Sequence, residues 1–404
     1  MTERVESAKG KTSRLQTACL FLCSIALSLV LAELIARHFV KIPEMPKVFV
    51  HEKSENPKLL YKPAPHTSTV AYNVENKINR DGFRDRDFPV EKKEGVKRII
   101  FLGDSIIYGY SLEANQTIPK QLEAVFQEEG KAVEVLNLGV SGYETEQEVE
   151  FFKEVGLRYK PNVVLVGVSL NDCHYASWEL DLFDNLAHAT VKDTKGNGYQ
   201  KLLGFLYTHS RFFYLLDHTF QIQKKVKELR SDYVPIRRYF EKRNRENKDL
   251  PDSPYGQLEK KIVEEATRLG TSKGSLDYLM KAVGFWTDDL YSSHWSISRR
   301  SFIELKTLSE KYHFKVVVAI IPVMQEMDRY PLQSLHEFLS SEFKSWGFSV
   351  IDMMSFGKEI YRRYGRPAIS SDGIHFSKLA TPLAGRYLHS ELLKIGELDL
   401  LQKK

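Results

Sequence analysis

Residues 98–105 read Arg98-Ile99-Ile100-Phe101-Leu102-Gly103-Asp104-Ser105, an apolar run that ends in a glycine, an aspartate and a serine. β-Branched and aromatic residues bounded by glycine indicate a short buried strand. A helix-like stretch follows, so Ser105 would stand on a tight turn at the carboxyl end of that strand, where open α/β sheets bind ligands. Its N–H would lie at a helix N-terminus, which favours a developing oxyanion. This context is typical of an activated serine nucleophile, although the triplet alone also fits a chance loop.

A candidate base lies near the C-terminus. A nucleophilic serine needs a base, and the base needs an orienting group. Residues 372–375 read Asp372-Gly373-Ile374-His375, the one Asp-x-x-His among twelve histidines. Asp372 would orient His375 and stabilise its protonated ring. Because Asp-Gly is a common turn pair, an ordinary surface turn is the alternative.

Two further strand patterns end in candidate oxyanion donors. Residues 133–139 precede Gly142, and residues 163–168 precede Asn171. The Gly142 N–H, the Asn171 amide and the Ser105 N–H would together form an oxyanion hole. Each fits an ordinary turn or strand cap when it is taken alone. Asp104 and Asp172 are assigned to loop hydrogen bonding, as is usual for aspartates in turns.

In this order the four blocks resemble those of the SGNH or GDSL hydrolases, in the form of a membrane-anchored bacterial-type member. The blocks are Gly103-Asp104-Ser105, Gly142, Ser169-Leu170-Asn171-Asp172 and Asp372-Gly373-Ile374-His375. Ser169 replaces the usual glycine of the third block and adds a side chain near the predicted oxyanion hole. The resemblance implies a three-layer flavodoxin-like α/β fold with a parallel five-stranded sheet. It also implies a catalytic triad of Ser105, Asp372 and His375, and an oxyanion hole of Ser105, Gly142 and Asn171.

The strand and helix patterns divide the chain into a core and an insertion. The core comprises residues 98–173 and 313–396, with further strands at 315–321 and 348–352 and helices at 117–129, 144–159 and 379–393. Residues 174–312 are mostly helical in periodicity and are expected to form a lid or substrate wall. The insertion carries a basic stretch that would face anionic lipid or form a solvated helix surface: Lys224, Lys225, Lys227, Arg230, Arg237, Arg238, Lys242, Arg243 and Arg245.

The N-terminal region predicts a membrane anchor. Residues 15–36 are mostly apolar and long enough to span a bilayer, and the preceding residues 1–14 carry a net positive charge. The positive-inside rule then places that tail in the cytoplasm and the catalytic domain outside. A cleaved signal peptide is the alternative. Glu33 and Arg37 are four residues apart and are expected to pair.

Residues 37–97 form a lead-in that either packs beside the site, with Arg80 and Arg84 as anion contacts, or is a plain stalk.

Composition excludes several classes of protein. The three cysteines include only Cys173 outside the anchor, so no intrachain disulfide is expected there. No His-x-x-x-His or Cys-x-x-Cys pair occurs, and no metal or cofactor is expected. A net charge of +5 over 404 residues does not indicate nucleic-acid binding.

Three functions remain open after the sequence is considered. The first is a serine esterase that acts on acylated glycan, lipid or small esters through an acyl-enzyme. The second is an O-acyltransferase in which a hydroxyl of a cell-envelope glycan discharges the same acyl-enzyme. The third is a catalytically silent binding or assembly protein.

Overall fold

The computed structural model describes residues 2–39, 50–56, 58–59, 61–71, 74–170, 206, 209–220, 255–282, 290–370 and 372–396. Asn171, Asp172, Cys173 and the basic stretch at 224–245 therefore lie outside the described residues. The chain forms two compact units. One comprises residues 1–45 and 188–233, and the other comprises residues 46–187 and 234–404.

The described strands and helices are numbered here in chain order. The strands are β1 (His51–Lys53), β2 (Tyr61–Pro63), β3 (Ser68–Ala71), β4 (Val74–Lys77), β5 (Lys97–Gly103), β6 (Val133–Gly139), β7 (Val163–Ser169), β8 (Lys315–Ile321) and β9 (Ser349–Asp352). The α-helices are α1 (Thr2–Phe39), α2 (Ser105–Tyr108), α3 (Ile118–Glu128), α4 (Thr145–Phe151), α5 (Arg211–Phe220), α6 (Tyr255–Leu269), α7 (Lys273–Ala282), α8 (Leu290–Tyr312), α9 (Gln333–Ser345), α10 (Met354–Tyr364), α11 (Arg366–Ile369) and α12 (Ala380–Lys394). A π-helix (Phe152–Gly156) and a 3₁₀ turn (Leu157–Tyr159) continue α4.

The central sheet has five parallel strands in the order β6-β5-β7-β8-β9. This is the flavodoxin-like order that the resemblance implied, and the strands predicted from the sequence agree with the observed ones to within a residue. Nearly continuous apolar runs form these strands because helices cover both faces of a parallel sheet. In β5, for example, Ile99, Ile100, Phe101 and Leu102 are all fully buried.

Alternate residues of each strand enter two separate hydrophobic cores. Ile100 and Leu102 of β5 pack on one face, where α4, α6, α7, α8 and α9 contribute apolar side chains. Ile99 and Phe101 pack on the other face, against α2, α3, α10 and α12. The sheet and its two helical layers make the three-layer α/β fold that was expected.

Helix α8 belongs to the core, although the sequence placed residues 290–312 within the insertion. Its side chains Phe302 and Leu305 are buried in the same cluster as the strand residues. The Phe302 ring also packs against the Phe343 ring of α9, with centroids 4.6 Å apart and planes 57° apart. Since α8 leads directly into β8, it serves as the crossover helix that a parallel strand connection requires.

The lead-in packs against the core over its described part. Two short hairpins, β1–β2 and β3–β4, precede β5. Arg84 is 1% exposed, and its guanidinium donates to the carbonyls of Tyr108 at 3.0 Å and Gly109 at 2.9 Å. The described residues between 50 and 97 are therefore part of the folded domain, and Arg84 supports the end of α2 instead of binding an external anion.

Helix α1 is the main element of the other unit. Its segment Cys19–Phe39 is long and apolar enough to cross a membrane, a property that signal sequences share. Arg37 Nε donates to Glu33 Oε1 at 2.7 Å, as the spacing predicted. The same Glu33 carboxylate accepts the N–H groups of Arg211 and Phe212, each at 3.0 Å. Glu33 thus caps the N-terminus of α5.

Candidate active site

Ser105 begins α2, which lies very close to the sheet. Three glycines in one row across the sheet allow this close approach. Gly139 of β6 and Gly167 of β7 both pair in register with Gly103 of β5. A Cβ atom would lie 2.2 Å from the Ile107 side chain at Gly103 and 2.7 Å from it at Gly167. At Gly139 it would lie 2.6 Å from the Ile107 backbone. Only glycine leaves room for the helix that carries the serine.

Asp104 shapes the turn from within. Its Oδ1 accepts the N–H of Ile106 at 2.9 Å, which makes it the N-cap of α2 and agrees with the structural role expected from sequence. Burial raises the pKa of this carboxyl. Ser169, the departure from the family pattern, is 2% exposed, and its hydroxyl interacts with Asp104.

A second buried acid interacts with Asp104. Glu148 of α4 is 1% exposed. Its pKa is raised well above the usual value, mainly by burial and also by repulsion from Asp104. A raised pKa favours the neutral acid.

The three predicted triad residues meet in the structure. Ser105 Oγ lies 2.8 Å from His375 Nε2, and His375 Nδ1 lies 2.6 Å from Asp372 Oδ2. This is the nucleophile–base–orienter arrangement, with each ring nitrogen of the histidine facing a different partner. The side chains of His375 and Asp372 are 19% and 41% exposed, so the cluster is open to solvent on one side.

Asp372 is held by its second oxygen. Oδ1 accepts the backbone N–H groups of Ile374 and His375, both at 2.9 Å, and the hydroxyl of Ser370 at 3.2 Å. Partial burial alone would raise the pKa of Asp372, but the contact with His375 and these amides lower it well below its usual range. The group facing His375 is therefore a carboxylate.

An aromatic ring covers the histidine. Tyr110 stacks on His375 with ring centroids 4.4 Å apart and planes 23° apart. Stacking of this kind restricts the imidazole to one orientation and accommodates its positive charge. The sequence reasoning did not select Tyr110, and its place one residue after Gly109, close to the nucleophile, was the only available signal.

Gly142 stands on the loop that follows β6, beside the strand that leads to Ser105. Val140 N donates to Gly103 O at 3.0 Å, which fixes the start of this loop against the end of β5. Gly142 adopts φ +77°, a left-handed conformation that favours glycine. Asn171, the third predicted oxyanion donor, lies outside the described residues.

The structure also contains a second Asp–His pair that sequence reasoning missed. His336 Nδ1 lies 2.7 Å from Asp352 Oδ1, and His336 Nε2 lies 3.0 Å from the hydroxyl of Tyr330. His336 is fully buried. Its partner is a tyrosine and no serine is involved, so this cluster lacks an exposed nucleophile. His336 and Asp352 are sixteen positions apart in the sequence, which left no local spacing to recognise.

Metal-binding groups are not evident in the described part of the chain. No cluster of three or more His, Cys, Asp or Glu side chains there has a geometry that would hold a metal ion. Cys19 and Cys23, both in α1, are free thiols.

Comparison with known proteins gives a family match at the site. Residues 101–252 match the GDSL-like lipase/acylhydrolase family. No curated protein matches the chain in sequence. Similar solved structures include the psychrotrophic esterase EstA from Pseudoalteromonas sp., at 11% identity and a TM-score of 0.36, covering 74% of this chain and 98% of that one. Another is a catalytic mutant of Axe2, an acetylxylan esterase from Geobacillus stearothermophilus, at 11% identity and a TM-score of 0.37, covering 78% of this chain and 98% of that one.

The matched segment includes Ser105 and Gly142 and ends before Asp372 and His375. The fold brings those two later residues to the serine. The match over residues 101–252, together with the position of the serine within it, supports an ester-hydrolysing enzyme of the GDSL-like lipase/acylhydrolase kind.

Proposed function

We propose that the protein is a membrane-anchored, extracytoplasmic serine esterase that uses Ser105, His375 and Asp372 as its catalytic triad. The observation that carries the proposal is the unbroken contact from Ser105 Oγ to His375 Nε2 and from His375 Nδ1 to Asp372 Oδ2. The substrate is a carboxylic ester with an acyl or acetyl group, carried by a glycan, a lipid or a small alcohol.

Acylation begins when Ser105 Oγ attacks the carbonyl carbon of the ester. His375 Nε2 accepts the serine proton as the Oγ–C bond forms, and Asp372 stabilises the resulting imidazolium. The carbonyl oxygen becomes an oxyanion, for which the N–H groups of Ser105 and Gly142 and the Asn171 amide are the proposed donors. The ester C–O bond then breaks, and His375 returns the proton to the departing alcohol.

Deacylation repeats the sequence with water. His375 takes a proton from a water molecule while the water oxygen attacks the acyl carbon. The bond from that carbon to Ser105 Oγ breaks, and the proton passes from His375 to Oγ. The free carboxylic acid leaves and the serine is restored.

Retention of α1 is supported by its contacts in the unit that it forms with α5. Glu33 accepts the Ser210 hydroxyl at 2.7 Å as well as the first amides of α5. Cleavage after the apolar segment would remove this cap, which is worth about 1 kcal/mol in typical helices. The positively charged residues before the span favour a cytoplasmic N-terminus and hence an extracytoplasmic enzyme. Peptides from residues 1–14 in the membrane fraction, detected by mass spectrometry, would establish that the span is kept.

The nucleophile is tested by Ser105→Ala in the full chain, with Ser345→Ala as the matched control. Ser345 is exposed at the end of α9 and contacts only its own helix. We expect Ser105→Ala to lose short-chain p-nitrophenyl ester hydrolysis by at least about 10³-fold and to lose labelling by a fluorophosphonate probe. Ser345→Ala should retain both. Unchanged hydrolysis by a folded Ser105→Ala protein would refute the assignment.

A further inference from the structure

The lead-in reaches the loop that carries Gly142. Tyr61 of β2 donates its hydroxyl to the Ser141 carbonyl at 2.7 Å. The tyrosine is 3% exposed, so water competes little for this bond. Family resemblance assigns Gly142 to the oxyanion hole and suggests that the lead-in packs beside the site, but it gives no role there to Tyr61.

The Ser141 carbonyl, which accepts this hydrogen bond, belongs to the peptide unit whose N–H is the proposed oxyanion donor. The C=O of Ser141 and the N–H of Gly142 share one planar trans peptide, in which the two groups point in opposite directions. A bond that fixes the carbonyl oxygen therefore also fixes the direction of the N–H. It polarises the amide as well, which makes the N–H a stronger donor.

Tyr61 is itself held in place by the segment that follows Gly142. The Tyr143 hydroxyl donates to the Tyr61 carbonyl at 2.6 Å, and the two rings have centroids 5.2 Å apart. Gln147 of α4 donates from Nε2 to the Leu59 carbonyl at 2.8 Å. The contact is thus reciprocal, since the lead-in fixes the Gly142 loop and that loop fixes the lead-in.

We infer that Tyr61 is a positioning residue of the oxyanion hole and that the lead-in completes the active site. The inference rests on the proposed function, because it assigns Tyr61 to the same transition state. Its hydroxyl acts through the Ser141–Gly142 peptide and does not touch the substrate. A purely structural role for Tyr61 would change stability without changing the chemical step.

The test compares Tyr61→Phe with Tyr159→Phe in the full chain. The Tyr159 hydroxyl also joins the core to the lead-in, because it donates to Asp81. The backbone carbonyl of Tyr159, however, accepts from Arg98 at the beginning of β5, the end of the strand opposite to Ser105. We expect Tyr61→Phe to lower kcat by about three- to tenfold with KM unchanged, because the Gly142 N–H stabilises the transition state more than it stabilises the bound substrate. Inhibition by a short-chain trifluoromethyl ketone, whose adduct carries an oxyanion, should weaken by the same factor.

Hydrogen exchange adds a measurement that needs no turnover. The peptide spanning residues 139–143 should exchange faster in Tyr61→Phe and at the wild-type rate in Tyr159→Phe. If Tyr61→Phe does not fold, Tyr143→Phe, which frees the Tyr61 backbone, has to show the loss in kcat and the faster exchange. Equal kcat and equal exchange in a folded Tyr61→Phe protein would overturn the inference. A wild-type enzyme without any esterase activity would instead refute the proposed function, while the exchange data would still decide whether Tyr61 orders the loop.

Discussion

Replacing Asp372 by Asn changes one contact of the triad and keeps the others. Oδ1 already accepts three donors, from Ser370, Ile374 and His375. An asparagine would keep its oxygen at that position, so its NH₂ group would face His375 Nδ1. That nitrogen would then have to accept a hydrogen bond, and the proton would move to Nε2. His375 could no longer take the proton of Ser105.

Two losses set the size of the effect. The 2.6 Å contact with a carboxylate is a charge-assisted hydrogen bond, typically worth about 1.5–3 kcal/mol. Returning the proton to His375 Nδ1 would place that N–H against the NH₂ group of the asparagine, two donors facing each other, and would cost about 1–3 kcal/mol more. Solvent reaches the 41% exposed Asp372 side chain, so we expect the middle of the combined range, about 4 kcal/mol or roughly 10³-fold in kcat.

The assay is steady-state hydrolysis of a p-nitrophenyl ester at neutral pH, with near-UV circular dichroism to verify the fold. Asp352→Asn is the matched control, since it makes the same replacement in the Asp352–His336 pair, which faces Tyr330 and not Ser105. The control should stay within about threefold of wild type. A folded Asp372→Asn enzyme with more than about a tenth of wild-type kcat would refute the proposed role of Asp372.

Two further predictions concern stability. Gly139→Ala should lower the free energy of unfolding by about 2–3 kcal/mol and abolish most activity, because its Cβ would lie 2.3 Å from the Tyr108 nitrogen; Gly274→Ala, with open space around it, should not be destabilising in a denaturant titration. Burial lowers the pKa of His51 to about 4 from 6.5, so the unfolded chain binds more protons between these values, and stability should fall by up to about 3 kcal/mol as the pH drops through this window. In thermal unfolding, His51→Phe should lose that pH dependence; an unchanged slope would contradict the assignment to His51.

The sequence was sufficient for the sheet and for contacts between residues close in the chain. Strands buried on both faces leave long apolar runs, so their number and limits could be inferred, while their order in the sheet came from the resemblance to a family. Asp372 and His375 could be paired because they are three positions apart on one loop. The pairing of Ser105 with His375 depended on the resemblance to a family, since 270 residues separate the two.

Contacts made by the lead-in could not be anticipated in this way. Tyr61 reaches Ser141 across eighty residues, and nothing near Tyr61 distinguishes it from an ordinary half-buried strand residue. Arginine is usually a surface residue, yet the Arg84 guanidinium donates to carbonyls that only the folded chain brings together. Helix α8 packs in the core cluster beside the strands, and its helical periodicity alone did not distinguish it from the other helices predicted in the insertion.

The row formed by Gly103, Gly139 and Gly167 has a consequence for how preparations of this enzyme behave. Ile107 fills the space that three side chains would occupy, and it is fully buried. The core on that face of the sheet is incomplete without the turn that bears the nucleophile, so we expect its packing and a competent serine to be gained and lost together. Specific activity should then report the folded fraction of a sample directly, and heat inactivation should coincide with loss of tertiary structure.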